Sequence, residues 1–149
     1  MATQYKIEED GSITLTINMK PVGTFLQQEE QIAEAVLEVG HLASRLSLER
    51  HDTDGRPIVV ENKRHTSRGQ EKKYQTPWGC VEVNRHTYQS SSGGKLVIPL
   101  EELYCMIGGF STPRFAKMVS WKYTRLPAGA VEENFKHNHG RPTRRCMIH

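Results

Sequence analysis

The sequence predicts an α+β fold, and three observations carry that expectation. Residues 5–17 alternate apolar and polar side chains on either side of Asp10-Gly11. A proline-free stretch of two dozen residues after Thr24 repeats apolar residues at helical spacing. From Pro99 onward the spacing is helical again, whereas 58–99 is punctuated by turns and reads as strands. Three regions follow: a hairpin plus amphipathic helix over 1–57, a small antiparallel β region over 58–99, and a helical segment over 100–149.

In the first region Ile7 stands on one arm of the hairpin and Ile13, Leu15 and Ile17 on the other, with Gly11 supplying the positive φ of a tight turn. Thr24 and Gln27 have the spacing of a capping box that opens a helix. Ile32, Val36, Val39, Ala43 and Leu46 recur at steps of four and three, so one narrow stripe is expected to face a core. The stripe spans about two heptads, too few to demand a coiled coil. Glu29 and Glu30 are expected in the first turn, at the positive end of the helix dipole. The turn residues of His51 to Pro57 end the helix.

Ile58-Val59-Val60 reads as a strand, and ENKRHTSRGQEKK after it as a polar, basic loop. Val81 and Val83 alternate with Cys80, Glu82 and Asn84 behind the turn Thr76-Pro77-Trp78-Gly79, which predicts a second hairpin. SSSGG at 90–94 predicts another turn, with Leu96-Val97-Ile98 as a short third strand. Leu100, Leu103, Tyr104 and Ile107 predict one or two helical turns closed by Gly108-Gly109. Thr112-Pro113 restarts a helix whose inner face is Phe115, Met118, Val119 and Leu126, stopped by Pro127. Val131 and Phe135, four apart, give a further helix its inner face before Gly140. Helix, short break, helix, glycine turn and Arg144-Arg145 is the order of a helix-turn-helix unit, and equally of any small helical bundle.

Charge is divided along the chain. Residues 1–60 hold five Lys or Arg against ten Asp or Glu, and residues 61–149 fifteen against seven. No apolar run approaches the roughly twenty residues that span a bilayer, and MATQYKIEEDGS lacks the layout of a secretion signal, so a cytoplasmic protein is expected with no membrane partner. Cys80, Cys105 and Cys146 are far apart and odd in number, which fits reduced thiols. His137, His139, Cys146 and His149 offer metal-ligating atoms without the tight paired spacings of zinc sites, and Cys80 with His86 offers less, so no metal site is expected. The adjacent carboxylates Glu8-Glu9, Glu29-Glu30, Glu101-Glu102 and Glu132-Glu133 read as solvated faces, since neighbours in a helix point apart. No nucleophile with a base and no phosphate-cradling loop is visible, and the chain is not expected to be an enzyme.

Nucleic-acid contact is the remaining class. TPRFAKMVSWKYTR interleaves Arg114, Lys117, Lys122 and Arg125 with Phe115, Trp121 and Tyr123, and Arg141, Arg144 and Arg145 follow. Residues 113–149 hold eight Lys or Arg against two acids. These seven cations are the candidate DNA-binding residues. Phosphate positioning is expected rather than base readout, with Trp121 and Tyr123 as core or rim residues.

YQTPWGCVEVNRHTYQSSSGG, PLEE, GGFSTPRFAKMVSWKY and NHGRP, with DGSITLTI, EEQIAEAVLEVG and HDTDGRPI before them, together resemble the N-terminal portion of ISKra-type bacterial insertion-sequence transposases. The resemblance covers the chain to about Arg141. It implies a DNA-binding portion with a helix-turn-helix segment, held on the double-stranded DNA of element ends through Arg114 to Arg125 and the turn at His139-Gly140-Arg141. It also implies a separate ribonuclease-H-like domain, in which three carboxylates hold two divalent metals, beginning after residue 149. No cofactor and no catalytic residue is implied for the residues present. In some relatives the stretch matching TYQSSSGGKLVIPLEE is a zinc ribbon with a Cys-x-x-Cys knuckle. QSSSGG stands there in this chain, so a zinc-ribbon-like but metal-free hairpin is expected. Pro127 replaces the family's N-cap serine, and Arg144 the serine that opens its recognition helix. GRPTRRCMIH is too short for a recognition helix of two or three turns, so a truncated reading frame is expected. Such a fragment would bind DNA weakly, self-associate, or pair with a full-length transposase as a regulatory module.

Overall fold

A computed structural model describes residues 2–140. It is α+β, with two antiparallel sheets and four helices among the described residues. Strands β1 (Ala2–Ile7) and β2 (Ile13–Asn18) form the first hairpin, registering Ile7 with Ile13 and Tyr5 with Leu15 so that the apolar side chains share one face. Gly11 takes φ +85°, and Asp10 accepts from the N–H and the hydroxyl of Ser12 across the turn. Those bonds, the backbone one first, hold the Asp10 carboxyl below its usual pKa.

Helix α1 (Phe25–Arg50) opens with the expected capping box, Thr24 and Gln27 each satisfying the other's backbone N–H. Two expectations about α1 are corrected. Glu29 and Glu30 fall in the second turn, because the cap at Thr24 places only Phe25 to Gln28 in the first. The apolar stripe is buried only in part: Ile32 is 44% and Val36 53% exposed, and the buried residues are Ala35, Leu46 and Leu48. The helix outruns what it packs against. Its C-terminal half is held between the hairpin, where Arg50 reaches the carbonyl of Gly11, and the second sheet, where Gly40 lies against the indole of Trp78.

That second sheet is a meander in the order β3-β4-β5-β6: β3 (Ile58–Val60), β4 (Lys63–Thr76), β5 (Gly79–Ser90) and β6 (Gly93–Val97). The expected basic loop is therefore a strand, since β4 pairs with β5 from His65↔Ser90 to Thr76↔Gly79. Its polar side chains hide it from a periodicity reading, because the ladder is made by the backbone and much of β4 faces solvent. Val81 and Val83 are buried and their neighbours Glu82 and Asn84 exposed, as the alternation predicts. Register with β6 is confined to Tyr88↔Val97 and Ser90↔Gly93. Before those pairs α1 and its C-terminal turn shield β5: His41 Nε2 lies 2.8 Å from the Cys80 carbonyl, and the His86 N–H donates to Asp52 Oδ2 at 2.9 Å.

One core gathers Leu48, Tyr74, Val81, Val83 and Leu100 between helix and sheet. Helix α2 (Pro99–Leu103) is shorter than expected: Tyr104 caps it, Leu103 and Ile107 are exposed, and Gly108-Gly109 belong to the next loop. From that loop Phe110 O accepts the Gln75 N–H (2.7 Å) and Gln75 O accepts the Thr112 N–H (3.0 Å), fixing the start of α3 (Pro113–Tyr123) to the end of β4. Helix α4 (Ala128–His139) follows a short break. Phe115, Val131 and Phe135 form a second core between these helices, flanked by Met118, Val119, Tyr123 and Leu126. Pro127 stands at the N-cap of α4 without a side-chain cap bond, and Gly140 ends the helix in the left-handed conformation. No helix among the described residues is long and apolar enough to cross a membrane.

Candidate nucleic-acid interface

Helix α3 turns a cationic face outward. Phe115 and Val119 bury one side of it against α4, which leaves Arg114, Lys117 and Trp121, at steps of three and four, on another. Arg114 and Lys117 are exposed, and among the described residues neither forms an ion pair. Helix α3 itself carries no Asp or Glu. Thr112 makes no side-chain cap bond, so the first-turn N–H groups add their partial positive charge beside Arg114.

Arg125 lies just past the helix and folds back over it. Its guanidinium carbon sits 4.2 Å from the centre of the Trp121 ring, and Nη1 donates to Thr124 Oγ1 (2.9 Å) and Trp121 O (3.3 Å). Stacking and hydrogen bonds fix the cation without neutralising it. Pro113, Arg114, Lys117, Met118, Trp121, Lys122 and His139 line an open groove of ≈ 620 Å³ between α3 and the end of α4.

Lys122 departs from the expected set. One residue on from Trp121, it turns toward α4 and is only 8% exposed. Its ammonium donates to Asn134 Oδ1 and lies 5.0 Å from the centre of the Phe135 ring. The stem is part of the helix–helix packing and the ammonium is already held by protein groups, so Lys122 borders the groove without standing out as an exposed cation. Arg141, Arg144 and Arg145 lie outside the described residues, as does any recognition helix after Gly140.

The structure also shows cations that the sequence pattern had assigned to a loop. On β4, Arg64 and Arg68 are exposed on one side of the strand and Lys63 and Lys73 on the other. Lys73 faces Glu82 across the ladder at 3.8 Å. Arg64, Arg68 and Lys72 recur every fourth residue, a spacing that puts them on one side of a strand but does not mark one when no apolar residue alternates with them.

The titratable clusters elsewhere are occupied in holding the fold. Asp52 is nearly buried and holds both the main chain and Nδ1 of His86. Tyr74 donates to Glu101 Oε1 at 2.8 Å, and the buried Arg85 lies 3.3 Å from the same oxygen. Burial first, then the bond to Glu101, pushes the Tyr74 hydroxyl well above its usual pKa. Cys80 and Cys105 are free thiols on the surface. Among the described residues no three His, Cys, Asp or Glu side chains gather in a way that could hold a metal ion. His137 is exposed and His139 half-buried, while Cys146 and His149 lie outside the described residues. Within QSSSGG, Ser90 Oγ donates to Gly93 O at 2.6 Å and closes the β5–β6 turn.

No protein-family model matches the chain, and no curated protein or solved structure matches it significantly.

Proposed function

We propose that this chain is the DNA-binding N-terminal portion of an ISKra-type insertion-sequence transposase and holds the double-stranded DNA of element ends in the cytoplasm. The observation that carries this reading is the outer face of α3, where Arg114, Lys117 and Arg125 stand uncompensated around Trp121. Each such cation in contact with a phosphate releases a counterion, so affinity rises with their number and falls steeply with salt. The sequence holds further arginines at 141, 144 and 145. Strand cleavage and transfer, with their divalent metals, belong to a domain that these 149 residues do not include, and the chain itself neither catalyses a reaction nor requires a cofactor.

Competition binding tests the reading. A duplex copied from the terminal repeats that flank the coding sequence displaces a labelled duplex better than a scrambled one of equal length. Failure of both duplexes to bind at low salt removes the proposal.

A second reading has its own observation. Ile32 and Val36, together with Phe25 and Leu26, leave the N-terminal half of α1 with an apolar surface that nothing in the chain's described part covers. Such a surface suits a regulatory module that associates with itself or with a full-length transposase and touches no DNA. A molecular mass that rises with concentration, without DNA binding, favours this reading over the first.

A further inference from the structure

Trp121, expected in the core or at its rim, stands on the exposed side of α3. It is 57% exposed even though the Arg125 guanidinium covers part of the ring at 4.2 Å. Large aromatic side chains are seldom left in water to this extent, and here the ring forms one wall of the ≈ 620 Å³ groove, a volume within the usual range for small-ligand sites. Pro113 and Met118 give the groove apolar surface, Arg114 and Lys117 set exposed positive charge at its border, and Lys122 lines it with its ammonium already on Asn134.

Duplex DNA contacted only through its phosphates has no use for an exposed indole, because the bases are stacked inside. A nucleotide out of the stack presents a flat π-face and a phosphate at once. The first matches the Trp121 ring with its stacked guanidinium, the second Arg114 and Lys117.

We propose that the groove beside Trp121 receives a single unstacked nucleotide, its base lying on the indole and its flanking phosphates on Arg114 and Lys117. This deepens the DNA-binding reading and rests on it. The protein then distinguishes frayed, gapped or single-stranded-tailed DNA from blunt duplex, with little preference among bases, since every base has a π-face.

The test uses the full chain and two DNAs, a blunt duplex and the same duplex with a short single-stranded tail, at one salt concentration. The readout is the ratio of the two affinities within each protein. The tail improves binding by the unaltered chain roughly tenfold, the gain for one stacked base. In Trp121→Ala the ratio falls to about one, while Trp121→Phe, which keeps a π-face, retains most of the gain. A fluorescent 2-aminopurine in the tail is quenched on binding to the unaltered chain and not to Trp121→Ala. Circular dichroism confirms that each variant is folded, and if Trp121→Ala is not, the comparison is made with Trp121→Leu. No gain from the tail, or a gain that survives loss of the aromatic ring, overturns the proposal while leaving duplex binding intact. Binding to neither DNA overturns the DNA-binding reading itself.

Discussion

Two lysines five residues apart show how little the residue type decides by itself. Lys117 is exposed and without an acid partner, whereas Lys122 is buried with its ammonium on Asn134 and the Phe135 ring. Replacing Lys122 by methionine keeps the stem's packing and removes an ammonium already held by protein groups. Lys122→Met therefore binds duplex DNA within about twofold of the unaltered chain and is less stable by about 1–3 kcal/mol, since the part-buried Asn134 oxygen loses its donor. A filter-binding titration and a urea melt check both. Tyr74 supports a prediction in pH. Its raised pKa means that the folded state resists ionisation, so its contribution is complete below the ordinary tyrosine range near pH 10 and is lost as pH rises above it. An absorbance titration, compared with that of Tyr74→Phe, shows Tyr74 ionising only as the chain unfolds in alkali. Tyr74→Phe abolishes that late component and costs about 1 kcal/mol at neutral pH, the usual worth of one such hydrogen bond.

Among the elements, those that announce themselves by period are the ones the sequence made legible. The α1 capping box, the alternation of Val81 and Val83, and the Val131–Phe135 pair that buries α4 are local patterns, and each is where the pattern puts it. Strand β4 was illegible because its order comes from the ladder with β5, a relation between residues up to 25 positions apart such as His65 and Ser90. Exposure of Ile32 and Val36 was illegible for the complementary reason: a stripe shows that a face is apolar and says nothing of how far the covering layer extends. Gly40 combines both scales. In a helix interior, glycine to alanine stabilises by roughly 0.5–1 kcal/mol on propensity. Here a Cβ would overlap the near ring of Trp78, which must shift to admit it. Gly40→Ala therefore lowers stability, by about 1–3 kcal/mol if the indole and backbone yield as overpacked cores do. An increase in the urea midpoint would show that α1 and the β4–β5 turn are not in tight contact.

Across the whole molecule, charge separates along the chain. The acidic first portion builds the hairpin and α1, and the basic remainder builds the sheet and the two helices that carry the candidate site. The site was partly visible before the fold was known. Arg114, Lys117 and Arg125 stand on the surface as the interleaving of cations and aromatics suggests, whereas Lys122, expected among them, is buried, and Trp121, expected in the core or at its rim, is 57% exposed. Spacing gives the angle of a side chain about its helix; which angles face α4 is set by where β4 fixes Thr112, and that is a tertiary fact. On the proposed function, the cations of α3 meet the DNA backbone. Salt dependence of duplex affinity measures it most directly, comparing the unaltered chain with an Arg114→Ala, Lys117→Ala, Arg125→Ala variant. The slope of log affinity against log salt becomes shallower by roughly three in the variant, about one for each phosphate contact removed. An unchanged slope would contradict the account.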